Sequence, residues 1–226
     1  MSTYCFGDVH GEFDKLKKCI ESVNLKGGDK LISLGDLVDR GPDSYKVIEY
    51  CIELSKQYEC YFIKGNHDVC WFDYLKTGNQ NVLWSQGGRE TYHSYEGIDP
   101  KVHFDFFAKQ IPYYIDKDLN LFIHGGFNRH FVLESQDEDI FLWDRDLLAA
   151  ARSYSSMKDI EYPFKIKGCI DGQFKEIFLG HTPCQYFESN TPLNYANIWV
   201  LDTGAGKMKK GTVTVMNVET KEYFQV

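Results

Sequence analysis

Apolar and polar positions change period several times in the first third of the chain. Thr3-Tyr4-Cys5-Phe6 predicts a buried strand, and residues 12–24 then place Phe13, Leu16, Ile20 and Val23 at helical spacing with lysines on the other face. Lys30 to Leu34 predicts a second strand. Residues 43–57 return to the helical period through Val47, Ile48, Cys51 and Leu54, and Tyr61-Phe62-Ile63 predicts a third strand. This βαβαβ order implies parallel strands joined by right-handed crossovers. Later segments differ. Residues 113–123 predict a hairpin turning at Asp116 to Asn120, Ile177-Phe178-Leu179 is a short strand, and 197–202, 212–218 and 222–226 are β-rich. Residues 143–152 read as a helix, and 153–175 fit no regular element. The economical architecture is an α/β fold with a central β-sandwich flanked by helices. No repeat or Pro/Gly/Ser linker divides it, so one domain over 1–226 is expected.

Composition narrows the class. A chain of 226 residues, 43% hydrophobic and 15% aromatic, is long enough to bury one sizeable core. A formal charge of −8 argues against a nucleic-acid or anionic-membrane surface, which would need clustered Lys and Arg. Cys5, Cys19, Cys51, Cys60, Cys70, Cys169 and Cys184 are odd in number and form no C-x-x-C pair, which fits reduced thiols better than a disulfide framework or a zinc finger. The N-terminus enters a strand without a leader pattern, and no apolar run approaches the roughly 20 residues of a membrane helix. A cytoplasmic location is therefore expected.

The chemistry lies where the strands end. The first three run into Gly7-Asp8-Val9-His10-Gly11, into Gly35-Asp36 through Asp39-Arg40-Gly41, and into Gly65-Asn66-His67-Asp68. Two later strands end at His124-Gly125-Gly126 and Gly180-His181-Thr182. The carboxyl ends of strands are where α/β sheets build ligand sites. Carboxylate, amide oxygen and imidazole suit first-row divalent metals, and these ligands are too many for one ion. A carboxylate bridging two ions about 3.5–4 Å apart would use them all, lower the pKa of a bound water and clamp phosphoryl oxygens for in-line attack.

Taken in order, GDVHG, GDLVDRGPDS, GNHD, HGG and GHT resemble the five signatures of the phosphoprotein phosphatase family, within the calcineurin-like metallophosphoesterases. The segments WSQGGRETYHSY (84–95) and WVLDTGA (199–205) resemble parts of the small bacterial and phage serine/threonine protein phosphatases. The resemblance implies the calcineurin-like fold, a sandwich of mixed sheets flanked by helices. It implies that Asp8, His10 and Asp36 hold a first metal, that Asp36 bridges to a second, and that Asn66, His124 and His181 complete the second. It further implies His67 as general acid, Asp39 as its orienting carboxylate, and Arg40 and Arg145 as phosphate-binding arginines whose planar forks can each take two oxygens. The implied reaction is hydrolysis of phosphoserine or phosphothreonine by a metal-bridging hydroxide. The implied cofactor is two divalent ions, manganese first, with iron, zinc and cobalt open. Independently of the resemblance, a serine or threonine alkoxide leaves poorly unless protonated, and an imidazole next to a carboxylate can supply that proton.

The partner expected is a phosphorylated protein or a small phosphoester. A dinucleoside-polyphosphate hydrolase of the diadenosine tetraphosphate type shares the metal site and stays open, as do a phosphodiesterase or nuclease and a catalytically silent binding module. The short stretch between His124 and His181, the carboxylate at Asp39 and GHT at 180–182 favour the protein-phosphatase side; Asp68, where those enzymes usually carry Glu, weighs against it. His93, His103 and His130 are expected at the surface or as caps. Trp71, Phe72, Tyr74 and Trp84 are expected to be packing residues. The acidic run from Glu134 to Asp146 is expected to be a solvated face; the alternative is that it borders the substrate entrance and favours basic flanking residues.

Overall fold

A computed structural model describes residues 1–156 and 172–226. Two five-stranded mixed sheets form the centre. The first comprises β1 (Thr3–Phe6), β2 (Lys30–Ser33), β3 (Glu59–Phe62), β9 (Thr214–Asn217) and β10 (Tyr223–Gln225), in the order β10-β9-β1-β2-β3. The second comprises β4 (Tyr113–Ile115), β5 (Asn120–Ile123), β6 (Glu176–Leu179), β7 (Leu193–Tyr195) and β8 (Ile198–Val200), in the order β4-β5-β6-β8-β7. Strands β1, β2 and β3 are parallel, with Cys5 opposite Ile32 and Ile32 opposite Tyr61, as the βαβαβ reading requires. Strands β5, β6 and β8 are likewise parallel.

Alternation along each strand decides what is buried where. Cys5, Ile32, Phe122, Phe178 and Met216 point between the sheets, where Phe122 and Phe178 stack with centroids 4.9 Å apart. Their neighbours Phe6, Leu31 and Val215 point outward under the helices α1 (Phe13–Val23) and α2 (Ser44–Gln57), which bury Leu16, Cys19, Ile20, Val47, Ile48 and Cys51. On the other sheet, Leu121, Ile123, Ile177 and Leu179 point outward under α6 (Glu138–Trp143) and α7 (Asp146–Ser156). The remaining α-helices among the described residues are α3 (Asn66–Thr77), α4 (Gly88–Ser94) and α5 (Phe104–Ala108).

The 113–123 hairpin and the other predicted strands appear within two residues of where the pattern puts them: β3 begins two residues early at Glu59, β9 begins two residues late at Thr214, and β8 ends two residues early at Val200. Strand β7 is not among the expected elements. The helix expected over 143–152 is two helices, broken at Asp144 and continuing to Ser156, so the irregular stretch expected from 153 starts too early; its residues 157–171 lie outside the described ones. His103 also departs from expectation. It is 1% exposed, bonded through Nε2 to Glu49 Oε1 at 2.6 Å and through Nδ1 to Tyr95 Oη at 2.8 Å, and stacked on Tyr45. Two polar partners make its burial tolerable. His93 and His130 are exposed, and Trp71, Phe72, Tyr74 and Trp84 pack in the core as expected. Six of the seven cysteines are described, and all six are free thiols. No helix among the described residues is long and apolar enough to cross a membrane.

Candidate metal centre

Parallel strands from both sheets end at one edge of the sandwich, and the side chains singled out by the sequence converge there. Asp8 and His10 follow β1, Asp36 follows β2, Asn66 opens α3 after β3, and His124 and His181 follow β5 and β6; none is more than 6% exposed. Main-chain bonds zip the loops together first: Val9 and His10 both donate to the Asp36 carbonyl at 3.0 Å, and Gly41 donates to the His10 carbonyl at 2.9 Å. A Cβ on Gly65 would lie 2.1 Å from the Asp36 nitrogen, so only glycine lets the end of β3 come this close. Among the described residues, ten besides glycine have positive φ, and five of them are His10, Asp36, Asp39, Arg40 and His181. Left-handed backbone concentrated in this way marks a site held by its surroundings.

The partners of the rings fix their orientation. His10 Nδ1 donates to the Val38 carbonyl at 2.8 Å and His124 Nδ1 to the Leu34 carbonyl at 2.7 Å, so both turn Nε2 inward. Asp36 Oδ2 stands between them, 3.6 Å from His10 Nε2 and 3.4 Å from His124 Nε2. Asn66 Oδ1 lies 3.0 Å from both His124 Nε2 and His181 Nδ1. Among the described residues, two groups of ligand atoms, each within 4.8 Å of one another, share Asp36: one with His10 and His67, the other with His124 and His181. Asp36 is the residue common to both.

Charge and hydrogen bonding test whether cations fit. Asp8 Oδ2 and His181 Nε2 are buried without a hydrogen-bond partner, a costly state that a coordinated ion would relieve. Burial, followed by the carboxylates of Asp202 and Asp36, holds Asp8 well above the usual carboxylate range. Burial alone would lower His124, but the charge and hydrogen bond of Asp36 push it up to about 9, so that without metal a proton sits where a cation would go. Burial and the charge on His124 lower His181 to about 2, and burial likewise lowers His10, leaving both imidazoles neutral as ligation requires. The donor set fits a pair of divalent ions that Asp8, His10, Asp36, Asn66, His124 and His181 could hold. Between His67 and Asp8 as the remaining ligand to the first ion, Asp8 is the better donor. His67 Nδ1 is 2.6 Å from Asp39 Oδ2 and its Nε2 is 2.8 Å from an Arg40 nitrogen, whereas Asp8 Oδ2 makes no hydrogen bond and lies 3.8 Å from His10 Nε2.

Arg40 lies over the centre, its guanidinium in contact with Nε2 of both His10 and His67. Arg145 is exposed at the junction of α6 and α7, near enough for its charge to act on His181, and the Trp143 ring is 5.9 Å from the His181 ring. The acidic run is largely exposed, and Glu138 within it pairs with Lys64 at 2.6 Å beside the end of β3.

Among the described residues, two buried carboxylates near the centre, Asp202 and Asp68, had no role from the sequence. Asp202, 3% exposed, follows β8 and accepts the Gly204 N–H at 2.8 Å; the signal that could have found it is the same rule of Asp and Gly after a strand. Asp68, 0% exposed, accepts from Leu37 N at 2.9 Å, Gly65 N at 3.3 Å and Gln110 Nε2 at 3.1 Å, tying the second and third motifs together.

The sequence model of the calcineurin-like phosphoesterases matches residues 1–191. Over 70 residues, 30% of this chain, the sequence is 47% identical to the symmetrical bis(5'-nucleosyl)-tetraphosphatase of Hamiltonella defensa subsp. Acyrthosiphon pisum, and the match takes in 25% of that protein's length. Serine/threonine-protein phosphatase 1 of Salmonella typhimurium is 24% identical over 208 residues, covering 88% of this chain and 84% of the other. A solved structure provisionally named a diadenosine tetraphosphatase superposes with a TM-score of 0.68 at 18% identity, covering 99% of this chain and 92% of that one. Likeness at that identity speaks for the fold.

Proposed function

We propose that this chain, which belongs to the calcineurin-like phosphoesterase family, is a metal-dependent phosphomonoesterase that removes phosphate from serine and threonine side chains. The observation that carries the substrate class is the acid pair: His67 Nδ1 at 2.6 Å from Asp39 Oδ2, both residues 2% exposed, with Nε2 turned toward Arg40. A nucleotide leaves a phosphoanhydride without help, whereas a serine alkoxide needs a proton as the P–O bond breaks. A buried, carboxylate-backed imidazole is machinery that an ester requires and an anhydride does not.

In this reading Asp8, His10 and Asp36 would hold one ion, and Asp36, Asn66, His124 and His181 would hold the other. The ions, when bound, supply a nucleophile from water near neutral pH and electrostatic stabilisation of the phosphoryl group. Arg40 and Arg145 bind phosphate oxygens, and Asp39 keeps the His67 ring aimed so that Nε2 donates its proton to the departing oxygen. Manganese is the metal proposed first, and a phosphoprotein or a small phosphoester the partner. A second reading, hydrolysis of dinucleoside polyphosphates, is favoured by the 70-residue match to a tetraphosphatase.

Rates on phosphoserine peptides, p-nitrophenyl phosphate and diadenosine tetraphosphate, measured side by side for the parent and His67→Asn, separate the two. The phosphopeptide should give the highest kcat/KM in the parent, and His67→Asn should lose about 10²–10⁴-fold in kcat on it while losing far less on the nitrophenyl ester, whose leaving group needs no proton. Diadenosine tetraphosphate turned over faster than every phosphopeptide, with no dependence on His67, would establish the second reading instead.

A further inference from the structure

We propose that Thr91 is a positioning residue for the acid pair, a role that rests on the reading of His67 and Asp39 given above. Thr91 lies in α4, 52 positions along the chain from Asp39, and is 0% exposed. Its hydroxyl grips Asp39 twice: the Asp39 N–H donates to Oγ1 at 2.7 Å, and the Oγ1 hydroxyl donates to Asp39 Oδ1 at 2.7 Å. An amide N–H can only donate and a carboxylate only accept, so the single hydroxyl proton is committed to Asp39. Ser44 Oγ completes the cluster, 3.1 Å from Thr91 Oγ1 and 3.2 Å from the Asp39 nitrogen.

The clamp leaves one carboxylate oxygen for the imidazole. With Oδ1 held by Thr91, Oδ2 meets His67 Nδ1 at 2.6 Å. Asp39 needs such support because its φ is 73°, a left-handed conformation that persists only where surroundings impose it. The same segment reaches the phosphate arginine. The Gly87 carbonyl accepts the Arg40 N–H at 3.3 Å, and a Cβ on Gly87 would lie 2.3 Å from that nitrogen. Gly87 and Thr91 thereby hold the backbone of Arg40 and the carboxylate behind the proton donor. Of the near-isosteres, serine keeps the donor and acceptor, and valine keeps the shape and loses both.

The test uses manganese-loaded enzyme and compares kcat on a phosphoserine peptide with kcat on p-nitrophenyl phosphate. Thr91→Val should lose roughly tenfold on the peptide, the scale of one misplaced hydrogen bond to a charged group, and under about twofold on the nitrophenyl ester. Thr91→Ser should restore the parental ratio, and in an Asp39→Asn background Thr91→Val should add little. His67→Asn is the reference. If it changes the ratio and Thr91→Val does not, the role of Thr91 is overturned while the acid pair stands; if His67→Asn itself leaves the ratio unchanged, both fall. Should Thr91→Val not fold, Thr91→Ala carries the same comparison. Failure of both to fold, or an equal loss on the two substrates, would assign Thr91 to stability alone and overturn the proposal.

Discussion

At the scale of single residues, most polar groups at the centre are constrained by a partner chosen for what it can donate or accept, and among the described residues Asp8 Oδ2 and His181 Nε2 are the atoms there left without one. The carbonyls of Val38 and Leu34 set the rings of His10 and His124, and Asp39 sets His67. Most of these identities were legible beforehand because they stand beside glycine at strand ends. Thr91 and Asp68 were not legible as partners, since a threonine in a helix and an extra aspartate in GNHD carry no pattern of their own. They become visible only when α4 and Gln110 are folded against the loops. Arg40 and Arg145 differ at this scale too. Arg40 already touches two imidazoles and is half-buried, whereas Arg145 is exposed. Arg40→Ala should therefore raise KM and weaken inhibition by inorganic phosphate about tenfold or more, and Arg40→Lys should recover only part because a point charge cannot reproduce a planar fork. Arg145→Ala should have the smaller effect. Unchanged phosphate inhibition in both variants would remove the arginines from the site.

At the scale of elements, hydrophobic period located the strands that carry the site. Residues 113–115 and 120–123 turn where Asp116 to Asn120 said they would, and Phe122 and Phe178 alternate inward as a sandwich demands. The helices α3, α4 and α5 were less legible. The first begins inside the GNHD motif, where the ligand pattern masks the helical one, and the other two are only seven and five residues long. The break between α6 and α7 falls at Asp144, whose carboxylate accepts the Leu147 N–H at 3.0 Å and starts the second helix. Close approach of elements yields a prediction of its own. Gly65 brings the end of β3 against the Asp36 loop, with its added Cβ 2.2 Å from Asp36 Oδ1. Gly65→Ala must push that carboxylate aside, and should lower both thermal stability and metal affinity. A parental melting temperature with parental metal content would show that the loop yields at no cost.

At the scale of the whole molecule, two mixed sheets bring parallel strand ends to one edge, and they concentrate there carboxylates that repel one another unless cations intervene. Asp8 and Asp202 are both raised above the usual range, by burial first and by neighbouring carboxylates, Asp36 among them. His124, raised to about 9 against an unfolded value of about 6.5, adds stability to the metal-free fold below the lower value and loses it as pH rises toward the upper. A metal must displace that proton, so the gain in melting temperature on adding a divalent ion should grow between pH 6 and pH 9. A gain independent of pH would mean that the ion binds elsewhere. The most direct measurement of the central claim is metal stoichiometry read together with activity: strip the protein with a chelator, titrate manganese back, and follow both bound metal and p-nitrophenyl phosphate hydrolysis in the parent and Asp36→Asn. The parent should be inactive when stripped, bind close to two ions and recover its rate as they bind, while Asp36→Asn should lose both affinity and activity because the shared charge is gone. Full activity in the stripped parent, or two ions bound with parental affinity by Asp36→Asn, would contradict a dinuclear centre bridged by Asp36.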